Sequence, residues 1–476
     1  MKGPNNHEDL HFLLLPFMAS GHMLPMSDIA VLLALRGASV TLITTPLNAA
    51  RLRPSLSPHH SLISLVPLPF PPATESGLPE GCESFDALPS RDHEPAFFRA
   101  TEALLAPTLR HLRARCRTPP SCVIADALLP WAREVAREFR APRLVFHGYA
   151  FFATLCLHNL VAHGALTRVG DGNARVVVPG MPHEVEITEE QLQVDERLKD
   201  LWEARETADG VIVNSFEELE CEYLDVYREA TGKNVWVIGP VSLSNNPSNT
   251  IDRGGKTSPN ELWCLDWLNR REPKSVIYVS FGSIGRLSPP QTAELARALE
   301  ASGRNFMWVI KDGGGLPKEF KEEPITEKRM VVHGWAPQVA ILSHRAVGGF
   351  ITHCGWNSTL EGVSAGVPLV AWPLFAEQFI NEKLVVDVLH IGVRVGVERL
   401  SGWAGEGVGV VGIEAIERAL EEVMDGGKEG VLRRKRVREL GKMARKAVDV
   451  GGSSYVNMTR LIEYVSEHRS VKDDGT

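Results

Sequence analysis

The chain has 476 residues, 44% of them hydrophobic and 23% charged, with a formal net charge of −8. That length exceeds one ordinary core and predicts two domains, while the acidic balance and lack of a long basic run exclude a nucleic-acid or anionic-membrane binder. Seven scattered cysteines (Cys82, Cys116, Cys122, Cys156, Cys221, Cys264 and Cys354) show no C-x-x-C spacing, which fits a reducing compartment rather than a disulfide framework or the usual zinc patterns.

The first apolar run, HFLLLPF, follows Glu8 and Asp9 rather than a basic segment, so it reads as a buried strand and not as a signal peptide. No stretch reaches about 18 uninterrupted apolar residues, and no membrane span is expected. The loop MASGHMLP, the helix MSDIAVLLALRG and a second strand ASVTLITTP come next. Strand, helix, strand predicts a parallel sheet covered by helices on both faces. A dinucleotide fold would want G-x-G-x-x-G after the first strand and an acid after the second. The loop has only Gly21 and the second strand ends TTPLN, which argues against a nicotinamide or flavin oxidoreductase.

Residues 54–95, rich in Pro, Ser and His, read as a short strand (SLVPLPF) and a long mobile loop over a pocket. FFRATEALLAPTLRHLRARC reads as one helix, and PSCVIADALLPWAREVAREF as a strand, ending near Asp126, then a helix. Ligands in such sheets bind beyond the carboxyl ends of the strands, so His22 and Asp126 are expected to face one crevice. An aspartate that accepts one ring N–H fixes the imidazole tautomer and leaves the other nitrogen to take a proton. PRLVFHGYAFFATLCLHNL, DGVIVNSFEELE and NVWVIGPVSL continue the alternation, and SNNPSNTIDRGGKTS reads as a polar linker. The pattern then restarts with SVIYVSFGSIG, a helix, NFMWVI and MVVHGW, and three charged helices close the chain.

The densest chemistry lies between Trp335 and Gln378, WAPQVAILSHRAVGGFITHCGWNSTLEGVSAGVPLVAWPLFAEQ. It reads as a short helix with Pro337 at its first position, a buried strand, a CGWN turn, a helix opening with Ser358 and closing at Gly366, and another strand. Free N–H groups at the second helix start, with Gly355 allowing close approach and His353 adding a donor, form an anion site. Trp335 and Trp356 offer indole faces for a base. Glu361 suits ribose hydroxyls, and Glu377 with Gln378 suits a sugar. Each has a plainer alternative: Ser358 to Glu361 fits a capping box, and a histidine or tryptophan often simply packs in a core. Together they describe a nucleotide-sugar site. Three other readings compete. Gly362–Gly366 matches the G-x-S-x-G elbow of serine hydrolases, but that elbow needs a strand before Ser364 and a helix after it, the reverse of the order here. A zinc site at His344, His353 and Cys354 lacks suitable spacing. A non-catalytic nucleotide-sugar binder would keep the box and ignore replacement of His22.

The window resembles, almost letter for letter, the signature box of the plant UDP-glycosyltransferases. That resemblance implies the α/β GT-B fold: two Rossmann-like domains whose parallel sheets face a central cleft. It places an acceptor domain at 1–243, a linker at 244–258, a UDP-sugar domain at 259–455 and, at 456–476, a helix that crosses back. By resemblance Trp335 stacks on uracil beside Ala336, Gln338 lies near uracil and ribose, and Glu361 holds the ribose. His353, Gly355, Trp356, Asn357 and Ser358 belong to the donor site around the diphosphate, joined by Ser283, while Glu377 and Gln378 read the sugar. His22 and Asp126 form the catalytic dyad of an inverting transfer that gives β-glycosides. No metal or other cofactor is expected, and no membrane-anchoring tail like that of animal relatives. Gln378 favours UDP-glucose, with UDP-xylose, UDP-galactose, UDP-glucuronate and UDP-rhamnose as alternatives. PFMASGHMLPMSDIA and TTPLNAAR resemble the branch acting on flavonoids and steroid or triterpenoid aglycones, as free aglycones or as glycosides to be extended. Phe17, Met18, Leu129, Phe151 and Phe375 are the apolar candidates for that acceptor's pocket. A monomer in the cytoplasm is expected.

Overall fold

The computed structural model describes residues 9–59, 61–116, 118–165, 175–192, 197–243, 259–311, 316–401 and 409–473. The linker expected at 244–258 lies outside them. The described chain forms two parallel sheets and one small ribbon. The first sheet comprises β1 (His11–Leu15), β2 (Ser39–Thr44), β3 (Ile63–Pro67), β4 (Cys122–Asp126) and β5 (Arg143–His147). After the antiparallel ribbon β6 (Val176–Val177) and β7 (Glu186–Ile187), β8 (Gly210–Val213) and β9 (Asn234–Val237) complete it. The second sheet holds β10 (Val276–Ser280), β11 (Asn305–Ile310), β12 (Arg329–His333), β13 (Val347–Thr352), β14 (Leu369–Ala371) and β15 (Gly392–Arg394). Every residue of β1, β4, β5, β10 and β13 is buried, as strands covered on both faces must be, and their sequences are accordingly near-continuous apolar runs.

Strand order places the site. The first sheet runs β3-β2-β1-β4-β5-β8-β9 and the second β12-β11-β10-β13-β14-β15. In each, the chain winds outward from a central strand and then returns to that strand's other side. The two helices leaving such a reversal point diverge and leave a crevice at the carboxyl ends. In the first sheet the crevice lies between β1 and β4, in the second between β10 and β13.

Several local expectations change. The helix after β1 begins at Ser20 and contains Pro25, so His22 lies in its first turn rather than in a loop. The segment read as one helix divides into Glu94–Glu102 and Leu105–Arg115, because the Pro107 ring crowds the carbonyl four residues earlier, at the break. Residues 54–95 are not a bare loop. Beyond β3 they form helical turns at Ala73–Ser76, Phe85–Ala87 and Arg91–His93, tied down by Phe85 N–H donating to the Met18 carbonyl at 2.7 Å. Pro337 caps the helix Gln338–Ser343 from outside. Gly355, not Ser358, precedes the helix Trp356–Ala365, which ends at Gly366 in the left-handed conformation (φ 73°), as a C-terminal glycine favours. The last helix, Ser453–Asp473, lays Met458, Leu461, Ile462 and Val465 into the core of the first sheet. No described helix is long and apolar enough to cross a membrane.

Candidate active site

The helix start after β1 lacks a side-chain cap of its own, and Asp86 fills that role by accepting from Ser20 N–H at 3.3 Å and Ser20 Oγ at 3.1 Å. This fixes the first turn, from which His22 reaches the end of β4. Its Nδ1 lies 2.7 Å from Oδ2 of buried Asp126, whose Oδ1 accepts Leu128 N–H at 3.0 Å. With Nδ1–H donating to Asp126, Nε2 keeps its lone pair. Burial alone would draw the imidazole down, but the charge and hydrogen bond of Asp126, with Glu377 adding, hold it above its ordinary value.

Across the cleft, β10 and β13 end in register, Ser280 beside Thr352, so Gly282 and Ser283 face His353 and Gly355. His353 fits only because both glycines lack side chains: a Cβ on Gly282 would lie 2.6 Å from its Cε1, and one on Gly355 2.4 Å from its Nε2. Burial pushes His353 down to about 4. It is therefore a neutral imidazole near neutral pH. Backbone N–H groups open the helix Trp356–Ala365 beside it, with the positive end of the dipole. Cys354 (φ 62°) and Ala376 (φ 55°) take the left-handed conformation, costing roughly 1–2 kcal/mol each. Such strain clusters at ligand sites. Here one residue introduces Gly355 and the other Glu377.

Glu377 is buried, its carboxyl pushed up to about 7 by that burial against its backbone hydrogen bond and the His22 charge. Gln378 Oε1 accepts from Leu374 N–H at 2.8 Å and Phe375 N–H at 3.0 Å, leaving its NH2 to read a ligand. Beyond the cavity, Gln338 Nε2 donates to Ser358 Oγ at 3.0 Å and Glu361 Oε2 at 2.9 Å, while Tyr278 OH donates to Gln338 Oε1 at 3.3 Å. Glu361 thus bonds to Gln338, and Ser358, as the third residue of its helix, is not the cap that a capping box needs; Trp335 and Ala336 stand just before the helix Gln338–Ser343.

A cavity of about 270 Å³ joins these groups. Of the expected residues, His22, Ser283, His353, Gly355, Trp356, Asn357, Ser358, Glu377, Gln378, Phe17 and Phe375 line it. Asp126 stands behind His22. Trp335, Ala336, Gln338 and Glu361 form an adjoining group outside it. Three acceptor candidates are corrected. Met18 and Leu129 are buried in the core beneath the cavity wall, and Phe151 packs edge-on against Tyr227 at 5.5 Å. The Trp356 indole is corrected too: although the residue lines the cavity, it is buried with Nε1 donating to the Asn214 carbonyl at 2.7 Å, and it packs as wall rather than as a platform for a base. The Asn357 side chain is engaged between the two halves, donating to the Gly21 carbonyl and accepting from Asn214 Nδ2 at 3.3 Å. Ser364 sits buried at the end of a helix with β14 following, the wrong order for a nucleophile elbow. His344 bonds to Asn269 at 3.1 Å, and among the described residues no cluster of three or more His, Cys, Asp or Glu could hold a metal.

Sequence reading missed Phe85, Arg91, Glu94, Phe98, Tyr149 and Ile284, which also line the cavity. The Arg91–Glu94 spacing before an apolar helix was a usable signal. For the others contact depends on tertiary packing, as in the Phe17–Phe98 stack at 5.4 Å.

Two parallel α/β domains with their switch points turned to one cleft are the GT-B architecture. The family model described as UDP-glucoronosyl and UDP-glucosyl transferase matches residues 234–438, and that of the glycosyltransferase N-terminal domain matches residues 8–243. UDP-glycosyltransferase 73E1 of Stevia rebaudiana is 45% identical over 96% of this chain and 97% of its own. Scopoletin glucosyltransferase of Nicotiana tabacum is 43% identical over 97% and 99%. The crystal structure of Glycyrrhiza uralensis UGT73P12 with glycyrrhetinic acid 3-O-monoglucuronide superposes with a TM-score of 0.88 at 37% identity, covering 98% of this chain and 97% of that one. The chain belongs to the UDP-glycosyltransferase family.

Proposed function

We propose that the enzyme transfers glucose from UDP-glucose, with inversion, to a hydroxyl of a hydrophobic plant secondary metabolite, a flavonoid or a steroid or triterpenoid aglycone. The observation that carries this reading is the His22–Asp126 pair at 2.7 Å, opening into the cavity that Glu377, Gln378 and the start of the helix Trp356–Ala365 also line. Nε2 of His22 takes the acceptor's hydroxyl proton, and the oxygen forms its bond to the anomeric carbon. The bond from that carbon to the diphosphate oxygen breaks on the opposite face, so an α-linked donor gives a β-glycoside. Asp126 steadies the imidazolium. The charge gathering on UDP meets backbone N–H dipoles and Ser283, which in this reading makes a divalent cation unnecessary. Trp335, Gln338 and Glu361 would take the uridine, and Glu377 with Gln378 the glucose hydroxyls. Phe17, Phe85, Phe98 and Phe375 suit a flat apolar acceptor. The seven cysteines are free, which supports a reducing compartment such as the cytosol.

The test is UDP release and product mass with UDP-glucose and a panel of flavonoids, sapogenins and simple phenols. A gain of one hexose is expected, with His22→Ala slower by roughly 10²–10⁴-fold, the usual worth of a general base. Equal rates in the variant would remove His22 from the reaction. Turnover only with another UDP-sugar would replace the donor.

A further inference from the structure

Pro25 lies inside the helix Ser20–Ala34. Proline has no N–H, so the carbonyl four residues earlier loses its helical partner. That carbonyl belongs to Gly21, and Asn357 Nδ2, from the other half of the molecule, donates to it. Gly21 has room for this, since even a built Cβ would lie 3.6 Å from Asn357 Nδ2. The Gly21 carbonyl and the His22 N–H share one planar peptide unit. Holding that oxygen therefore fixes the plane from which His22 departs.

The amide of Asn357 has its direction set by a second amide. Its Oδ1 accepts from Asn214 Nδ2 at 3.3 Å, and Asn214 Oδ1 in turn accepts Val241 N–H at 3.0 Å. Asn214 is buried just after β8, and a Cβ on Gly239 would lie 2.3 Å from its Oδ1. The Asn214 carbonyl also takes the Trp356 indole N–H, so it grips the donor-side helix at two consecutive residues. Each amide gives a hydrogen on one side and receives one on the other, and neither can be reversed without opposing two like groups.

We infer that Asn214 and Asn357 form a directional amide relay that seats the start of the donor-side helix on the Gly21 carbonyl left open by Pro25, and so positions His22 against the sugar. They are positioning residues. The inference rests on His22 being the base.

The experiment compares Asn214→Asp, Pro25→Ala and His22→Ala, measuring kcat across pH together with UDP affinity. Asn214→Asp keeps shape and the Val241 bond but turns a carboxylate oxygen toward Asn357 Oδ1. Its kcat is expected to fall about 10- to 100-fold at neutral pH, the scale of small misplacements in an active site, with UDP affinity within about twofold. Its deficit should narrow as the pH falls and the Asp carboxyl takes a proton that it can donate to Asn357. Pro25→Ala supplies the missing helical donor, which competes with Asn357 for Gly21. It should slow transfer while leaving the melting temperature no lower, which keeps the test open should the aspartate variant fail to fold. Wild-type kcat in both folded variants, or a deficit flat with pH in Asn214→Asp, would overturn the relay while His22→Ala stays inactive. A fully active His22→Ala would overturn the base reading itself.

Discussion

His22 and Glu377 face one cleft, and each shifts the other's titration. The imidazole must be neutral to accept a proton, and its affinity for that proton is raised. The acid limb of kcat/KM should therefore lie above the ordinary histidine value of about 6.5. Activity climbs as pH rises through it. Asp126→Asn removes the charge that raises it, so the limb should move to lower pH while the plateau falls; a pH–rate profile of both proteins reads this directly. Gly282→Ala places a methyl group against His353 at a φ of +72°. We expect the donor KM to rise about tenfold, or ~1.4 kcal/mol, measured by initial rates against UDP-glucose. At this scale the chain was legible where chemistry is rare in cores, as with His22, Asp126 and Glu377. It misled where an apolar residue serves a wall and a core equally, as Met18, Leu129 and Phe151 show. Trp356 misled because the partner of an indole N–H, here a carbonyl more than a hundred residues away, leaves no local trace.

Strand and helix identities follow from period and composition, and that is why the alternation was readable. Boundaries depended on partners elsewhere in the chain. Pro25 reads as the end of the loop before the helix, yet the helix begins earlier, at Ser20, and runs through it, with the freed Gly21 carbonyl accepting from Asn357 across the cleft. Before Pro107 the helix breaks instead. The final helix is bound by packing rather than by propensity. Leu461 is fully buried against the first sheet, and Leu461→Ala should cost about 2–5 kcal/mol, seen as a lower denaturant midpoint with an unchanged slope.

At the scale of the molecule, the two halves are joined in more than one place. Lys311, at the end of β11, donates to the carbonyls of Asp86 and Ser283. Leu400 N–H donates to Glu190 at 2.7 Å, and Asn457 Nδ2 donates to the Val237 carbonyl at 3.1 Å. Such ties should make the halves unfold together. Calorimetry is expected to show one transition, and removal of residues 453–476 to split it in two. The repeated outward-and-return strand order was visible only as two runs of alternating elements. The meeting of the two crevices came only from the family resemblance, because period and composition carry no record of how one domain sits against the other.

In the proposed reading the diphosphate meets the backbone N–H groups that open the helix Trp356–Ala365. His353 is uncharged near neutral pH, and the cations at hand are Arg91 on the cavity wall and Lys311, whose ammonium is held by the Ser283 carbonyl. Attraction built from fixed dipoles at contact range is poorly screened, unlike attraction between separated ions. Ionic strength should therefore matter little: the UDP-glucose KM is expected to stay within about twofold between low and physiological salt. A hold made mainly by dipoles would also let UDP leave readily, favouring turnover over tight product retention.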